Sequence, residues 1–177
     1  GNQFLGQIRQ TSAILHVVRC FDDKNIAHVD GSIDPVRDVE TIETELLLAD
    51  ILTLEKRKHK VEKLARSGDK EAKDSLYILD LLLEHCSDGN AARLLTIDKE
   101  HNEFKRSLQL LTEKPVLYIA NTSEVEAMES NAGEHVRSLE KYASKGSNVV
   151  ISLCSSIEQE IALLKEEERA IFLQEYG

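Results

Sequence analysis

The sequence contains no tryptophan, and aromatic residues fill only 5% of its 177 positions. A stacked aromatic platform for single-stranded nucleic acid is therefore not on offer. Basic residues are in the minority. Against 22 Lys and Arg stand 32 Asp and Glu, a net charge of -10. That balance opposes non-specific binding of phosphate backbones by the chain as a whole, although not by one local basic patch. The three cysteines, Cys20, Cys86 and Cys154, are far apart. So sparse and odd a count argues against a disulfide framework and for a reducing compartment, so that a cytoplasmic location is the expectation. No apolar run approaches the length of a membrane span, no signal-peptide pattern opens the sequence, and no membrane partner is expected.

Self-contained catalytic motifs are missing too. There is no G-x-x-x-x-G-K-S/T, no G-x-G-x-x-G, no C-x-x-C, no H-E-x-x-H and no G-x-S-x-G. The six histidines show no ligand spacing. His16, inside a predicted strand, reads as a satisfied imidazole rather than a metal ligand. Cys154 follows a strand, but no base can be named for it, and small buried cysteines are common.

What is present is an α/β pattern. Ala13 to Val18, Pro115 to Ala120 and Asn148 to Leu153 are short apolar runs rich in β-branched residues. Nearly continuous runs of this kind predict parallel strands buried on both faces. Helical patterns follow at about Asn131 to Lys145 and Ile157 to Glu175, the alternation of an α/β domain. Between the first two strands the pattern changes. From Asp38 to Arg66 there is no Gly or Pro, and Val39, Ile42, Leu46 and Ala49, then Leu47, Ile51, Leu54, Val61 and Leu64, recur at helical spacing. Gly68 can end this helix in the left-handed conformation and Asp69 can cap the next, in which Leu76, Leu79, Leu83 and Cys86 share a side. The short turn makes the two helices antiparallel neighbours. A third helix, about Lys99 to Thr112, leads back to Pro115. The expectation is a helical insertion at 38–113, coiled-coil-like, within an α/β domain made of 1–37 and 114–177. Glu55, Lys56, Arg57, Lys58 and Lys60 line the outer faces of the insertion, read as a solvated surface with modest i,i+4 pairing. The other reading is a basic docking strip for RNA or a protein, but a helix cannot turn these residues all one way into a continuous patch.

In open α/β sheets ligands bind beyond the carboxyl ends of strands. Two strands here end in compact polar loops, Asn121-Thr122-Ser123-Glu124 and Ser152-Leu153-Cys154-Ser155-Ser156. An Asn side chain offers both an acceptor and a donor, matching the edge of a purine. A carboxylate one turn on can accept from amino groups, and backbone amides of the second loop can complete the grip. Asn and Ser are also ordinary turn formers.

Asn121-Thr122-Ser123-Glu124 resembles the Asn-Lys-x-Asp base-recognition motif of P-loop GTPases, with Thr for Lys and Glu for Asp. That departure is typical of the YchF family, the Obg-like ATPases. GNQFLGQIRQTSAILHVVRCF resembles the segment after that family's second switch. NIAHVDGSIDPVRDVETIETELLLADI resembles the entry to its helical insertion, with His28, Val29, Gly31, Asp34, Pro35, Asp38, Glu45 and Leu46 in place. IEQEIALLKEEERAIFLQEYG resembles the close of its nucleotidase domain. The resemblance covers essentially the whole chain.

The resemblance implies a P-loop NTPase parallel sheet with an inserted antiparallel helical hairpin. It implies ATP binding and Mg²⁺-dependent hydrolysis at the β–γ bond, ribosome association, and possible contact with RNA. It also implies a P-loop, first switch and Asp-x-x-Gly motif upstream of Gly1, with the metal ligands among them, and a TGS domain downstream of Gly177. No catalytic or metal-binding residue is then expected in the chain. Asn121, Thr122, Glu124, Ser152, Leu153 and Cys154 are the expected nucleotide-binding residues, and Gly1 to Phe4 would respond to the γ-phosphate state. In a GTPase the Asp accepts from guanine N1 and N2. Adenine has no N2 amino group and its N1 is an acceptor, while Glu124 carries one methylene too many for that bidentate geometry. A lost pair of this kind discriminates by about 1–3 kcal/mol, so ATP is expected over GTP. Asn121 is expected to accept from adenine N6, with the Thr122 backbone against the ring. The alternative is a non-catalytic α/β and helical-hairpin module for protein or ribosome docking. An upstream sequence with neither phosphate-binding motif would favour that alternative.

Overall fold

The computed structural model describes residues 2–23, 31–128 and 133–176; Gly1, His28, Val29 and Asn131, all named above, lie outside them. The chain divides into two compact units, Gly1–Ile14 with Glu40–Pro115, and Leu15–Val39 with Val116–Gly177.

The first unit is helical. It contains α1 (Asn2–Arg9), most of α2 (Pro35–Arg66) and α3 (Lys70–Ser87). Leu47, Leu54 and Val61 of α2 recur every seven residues, as do Ala72, Leu79 and Cys86 of α3, and both rows enter one apolar core with Ile78 and Leu82. Leu76 and Leu83, expected in that stripe, are only half-buried at its border. Gly68 turns the chain between the helices with φ of 95°, a left-handed value that costs glycine nothing. Asp69 Oδ1 accepts from Ala72 N–H at 3.0 Å and caps α3. Lys58 Nζ meets Asp80 at 2.7 Å across the hairpin, as antiparallel helices require.

The third predicted helix is shorter than its periodicity suggested. A 3₁₀ turn at Lys99–His101 runs into α4 (Asn102–Ser107), which stops there. Gln109 has φ of 50°, and the following amides are drawn to a buried carboxylate. Asp50, fully buried on α2, accepts from Leu111 N–H at 2.7 Å, Thr112 N–H at 2.7 Å and Thr112 Oγ1 at 2.8 Å. Arg9 Nη1 stands 3.6 Å away and also donates to Gln109 O. Tertiary hydrogen bonds to Asp50 outcompete continuation of the helix.

The second unit carries a parallel sheet ordered β1 (Ile14–Arg19), β2 (Val116–Asn121), β3 (Val149–Leu153). Leu117 pairs with Val149 and Ile119 with Ile151. Helix α5 (Glu124–Met128) follows β2, α6 (Glu134–Lys145) precedes β3, and α7 (Ser155–Leu163) and α8 (Glu166–Tyr176) follow it. Val136, Leu139 and Ala143 of α6 join Val18, Tyr118 and Ala120 in a second core. His16 is half-buried on this face, its ring 5.8 Å from that of Tyr118.

Burial on both faces, expected for all three strands, is not what the structure has. Leu15 and Val17 on β1 and Val149 and Ile151 on β3 are exposed, Leu15 by 66%. By the register and the alternation of side chains, they share a face with Leu117 and Ile119, opposite α6. The predicted last helix is also divided, at Leu164 and Lys165. Arg169 donates to the carbonyls of Ile161 and Leu164 at the end of α7. Glu168 accepts from Lys165 N–H at the start of α8, as the third residue of a capping box does. Among the described residues no helix is long and apolar enough to cross a membrane.

Candidate nucleotide-binding site

The two polar loops meet at the carboxyl ends of β2 and β3. Their strands are adjacent and in register up to Asn121 opposite Leu153. Thr122, buried, continues the pairing by donating its N–H to Leu153 O at 2.9 Å, with Oγ1 on the same carbonyl at 3.3 Å. On the other flank Cys20 N–H donates to Asn121 O at 2.8 Å. The backbone beneath Asn121 is thus fixed from both sides.

The start of α5 is set by a capping box. Ser123 Oγ accepts from Glu126 N–H at 3.3 Å, and Glu126 Oε2 accepts from Ser123 N–H at 3.2 Å and from Ser123 Oγ at 2.9 Å. This makes Glu124 the first residue of the helix. The Ser-x-x-Glu spacing that determines it is legible in the sequence.

The first turn of α7 then holds both polar side chains. Ser155 N–H donates to Asn121 Oδ1 at 3.0 Å. Ser156 Oγ donates to Glu124 Oε1 at 2.9 Å and lies 3.0 Å from Cys154 Sγ. Asn121 Nδ2 has no partner among the described residues. Of the residues expected here, Asn121, Thr122, Glu124, Leu153 and Cys154 come together, Leu153 through its carbonyl and Cys154 as the buried residue preceding α7. Ser152 is one step back on β3, opposite Ala120. Ser155 and Ser156 were within the polar loop but not among the expected site residues. Their part depends on the register of β3 against β2, which no local pattern encodes.

Cys20, fully buried under this corner, has its thiol pushed up to about 12, first by burial and then by the charges of Glu126 and Asp38. It stays neutral and is no nucleophile. Among the described residues no group of three or more His, Cys, Asp or Glu side chains is placed to hold a metal ion.

A parallel sheet ending in an Asn-x-x-Glu loop, with a helical hairpin carried between its first two strands, is the architecture of a P-loop NTPase with a helical insertion. No family model matches the chain. Individual proteins do. Over all 177 residues it is 46% identical to the ribosome-binding ATPase YchF of Bacillus subtilis (strain 168) and 44% identical to that of Escherichia coli O157:H7, covering 48% of each. The solved structure of the Schizosaccharomyces pombe YchF GTPase superposes with a TM-score of 0.89 at 28% identity, over 99% of this chain and 48% of that one. Over its whole length the chain is similar to part of the YchF-family proteins, and it spans about half the length of the curated relatives it matches.

Proposed function

We propose that the full-length protein containing this chain binds and hydrolyses a purine nucleoside triphosphate, ATP in preference to GTP. It would do so as a ribosome-associated switch protein of the cytoplasm, with this chain supplying the base-binding half of the site. The observation that carries the reading is the pair Asn121 and Glu124 at the end of β2, each fastened to consecutive residues of α7. The bacterial relatives are named ATPases and the yeast relative a GTPase, so the base preference rests on the residues of this chain.

Asn121 Oδ1 accepts from Ser155 N–H and keeps a second lone pair for adenine N6, while its Nδ2 hydrogens are free to donate to a purine ring nitrogen. Glu124 finds no paired donors on adenine. Mg²⁺, when bound, neutralises charge on the β- and γ-phosphates. Its ligands are assigned to no residue of this chain, and neither is any catalytic role. The test is a direct competition of ATP and GTP for the full-length protein, with ATP expected to win.

Contact with ribosomal RNA has its own support. Lys56, Lys60 and Lys63 are exposed, and at 100° per residue they lie on the side of α2 opposite Leu54, Val61 and Ala65. None forms an ion pair among the described residues, whereas Lys58 is held by Asp80. Three unneutralised cations in a row suit successive phosphates of a duplex, even on an acidic chain. Replacing all three by Glu should weaken co-sedimentation with ribosomes by at least about tenfold and flatten its salt dependence by about two phosphate contacts. Unchanged binding and salt slope would remove RNA from this face.

A further inference from the structure

We propose that Ser156 is a specificity-determining positioning residue, whose hydroxyl holds the Glu124 carboxylate on α7 and so withholds it from guanine. The inference rests on the reading of this corner as a purine site. Ser156 Oγ donates to Glu124 Oε1 at 2.9 Å. A hydroxyl has one hydrogen, so in the 3.0 Å contact with Cys154 the thiol donates and Ser156 Oγ accepts. The result is a chain of three groups, thiol to hydroxyl to carboxylate, rooted in the buried Cys154. The neighbouring Ser155 N–H fixes Asn121 at the same time, so one turn of helix orients both candidate base-facing side chains.

Guanine presents N1–H and the N2 amino group as adjacent donors. Engaging both requires a carboxylate free to turn its two oxygens to the ring. Adenine presents no such pair. Tethering Glu124 therefore costs ATP nothing, while GTP must break a charge-assisted hydrogen bond to recruit the carboxylate. The Asp-to-Glu difference lengthens the side chain, and Ser156 determines where the added length is anchored.

The experiment is a competition titration of ATP against GTP with full-length protein, as wild type, Ser156→Ala, Ser156→Thr, Glu124→Ala and the Ser156→Ala/Glu124→Ala double variant. Ser156 is exposed, so its loss leaves the fold intact. In Ser156→Ala the ATP affinity should stay within about twofold, while the ATP:GTP ratio narrows by about three- to tenfold. Ser156→Thr, which keeps the hydroxyl, should retain the wild-type ratio, and Ser156→Ala should have no further effect once Glu124 is Ala. An unchanged ratio in Ser156→Ala, or the same narrowing without Glu124, overturns the proposal and leaves the purine site standing. A wild-type protein with no preference for ATP overturns the base-site reading itself, and this inference with it.

Discussion

Replacing Asn121 by Ala in the full-length protein is expected to weaken ATP binding by about 10- to 100-fold, roughly 1.4–2.8 kcal/mol, with little change in stability. Two functions are lost together. The Nδ2 donor to the base disappears, and so does the acceptor that ties Ser155 N–H, and with it the start of α7, to the end of β2. The freed amide is exposed, so water takes the place of Asn121, and the thermal midpoint moves little. Asn121→Asp separates the two functions. A carboxylate can still accept from Ser155 N–H, but it turns an acceptor toward the acceptor nitrogens of the purine. It should therefore bind ATP no better than Asn121→Ala. Recovery of ATP affinity in Asn121→Asp would mean that anchoring α7, and not donation to the base, is what Asn121 contributes. Calorimetric titration with ATP, alongside thermal melts, distinguishes these outcomes.

The largest expected loss of stability lies at Asp50. Its carboxylate satisfies two backbone amides and a hydroxyl within the helical unit, with Arg9 alongside. Asp50→Ala strands those buried donors and the facing guanidinium, and should cost about 3–5 kcal/mol, read as a fall in the urea midpoint. Thr112→Val removes one of the bonds, together with the acceptor for Ala92 N–H, and should cost about 1–3 kcal/mol. The pH dependence has a definite sign. Burial raises the Asp50 carboxyl above its ordinary value, against the lowering effect of the Thr112 and Leu111 bonds and of Arg9. Between the unfolded and the raised folded value, the native chain holds a proton that the unfolded chain releases. The contribution of Asp50 to stability therefore falls as pH rises through that window. Asp50→Asn removes that dependence, and an unaltered pH profile of unfolding in this variant would contradict the assignment.

The sequence was most informative where local rules act without competition. The seven-residue recurrence through Leu54 and Val61, the left-handed turn at Gly68 and the cap at Asp69 are all local. The structure has the long α2, the turn and α3 at the predicted positions. The strands were legible from their apolar runs. What covers them was not, because a run such as NVVISL carries apolar side chains on both faces whether or not both are covered within this chain. The predicted helix to Thr112 failed for a tertiary reason. Asp50, about sixty residues away in sequence, takes the amides that would have continued it. The break after Leu163 came from side-chain capping by Glu168 and Arg169 within an otherwise uninterrupted charged run. At the site, Asn121 and Glu124 stood out through the family resemblance, and the Ser123–Glu126 capping box is readable on its own. The parts of Ser155 and Ser156 required the register of β3 against β2.

The measurement that bears most directly on the account is the ratio of ATP to GTP dissociation constants for the wild-type full-length protein in the presence of Mg²⁺. The unmatched carboxylate at Glu124 predicts ATP bound at least about fivefold more tightly, the lower end of the discrimination assigned to a lost bidentate base contact. GTP bound as tightly as ATP, or more tightly, would contradict the assignment of this strand end to adenine.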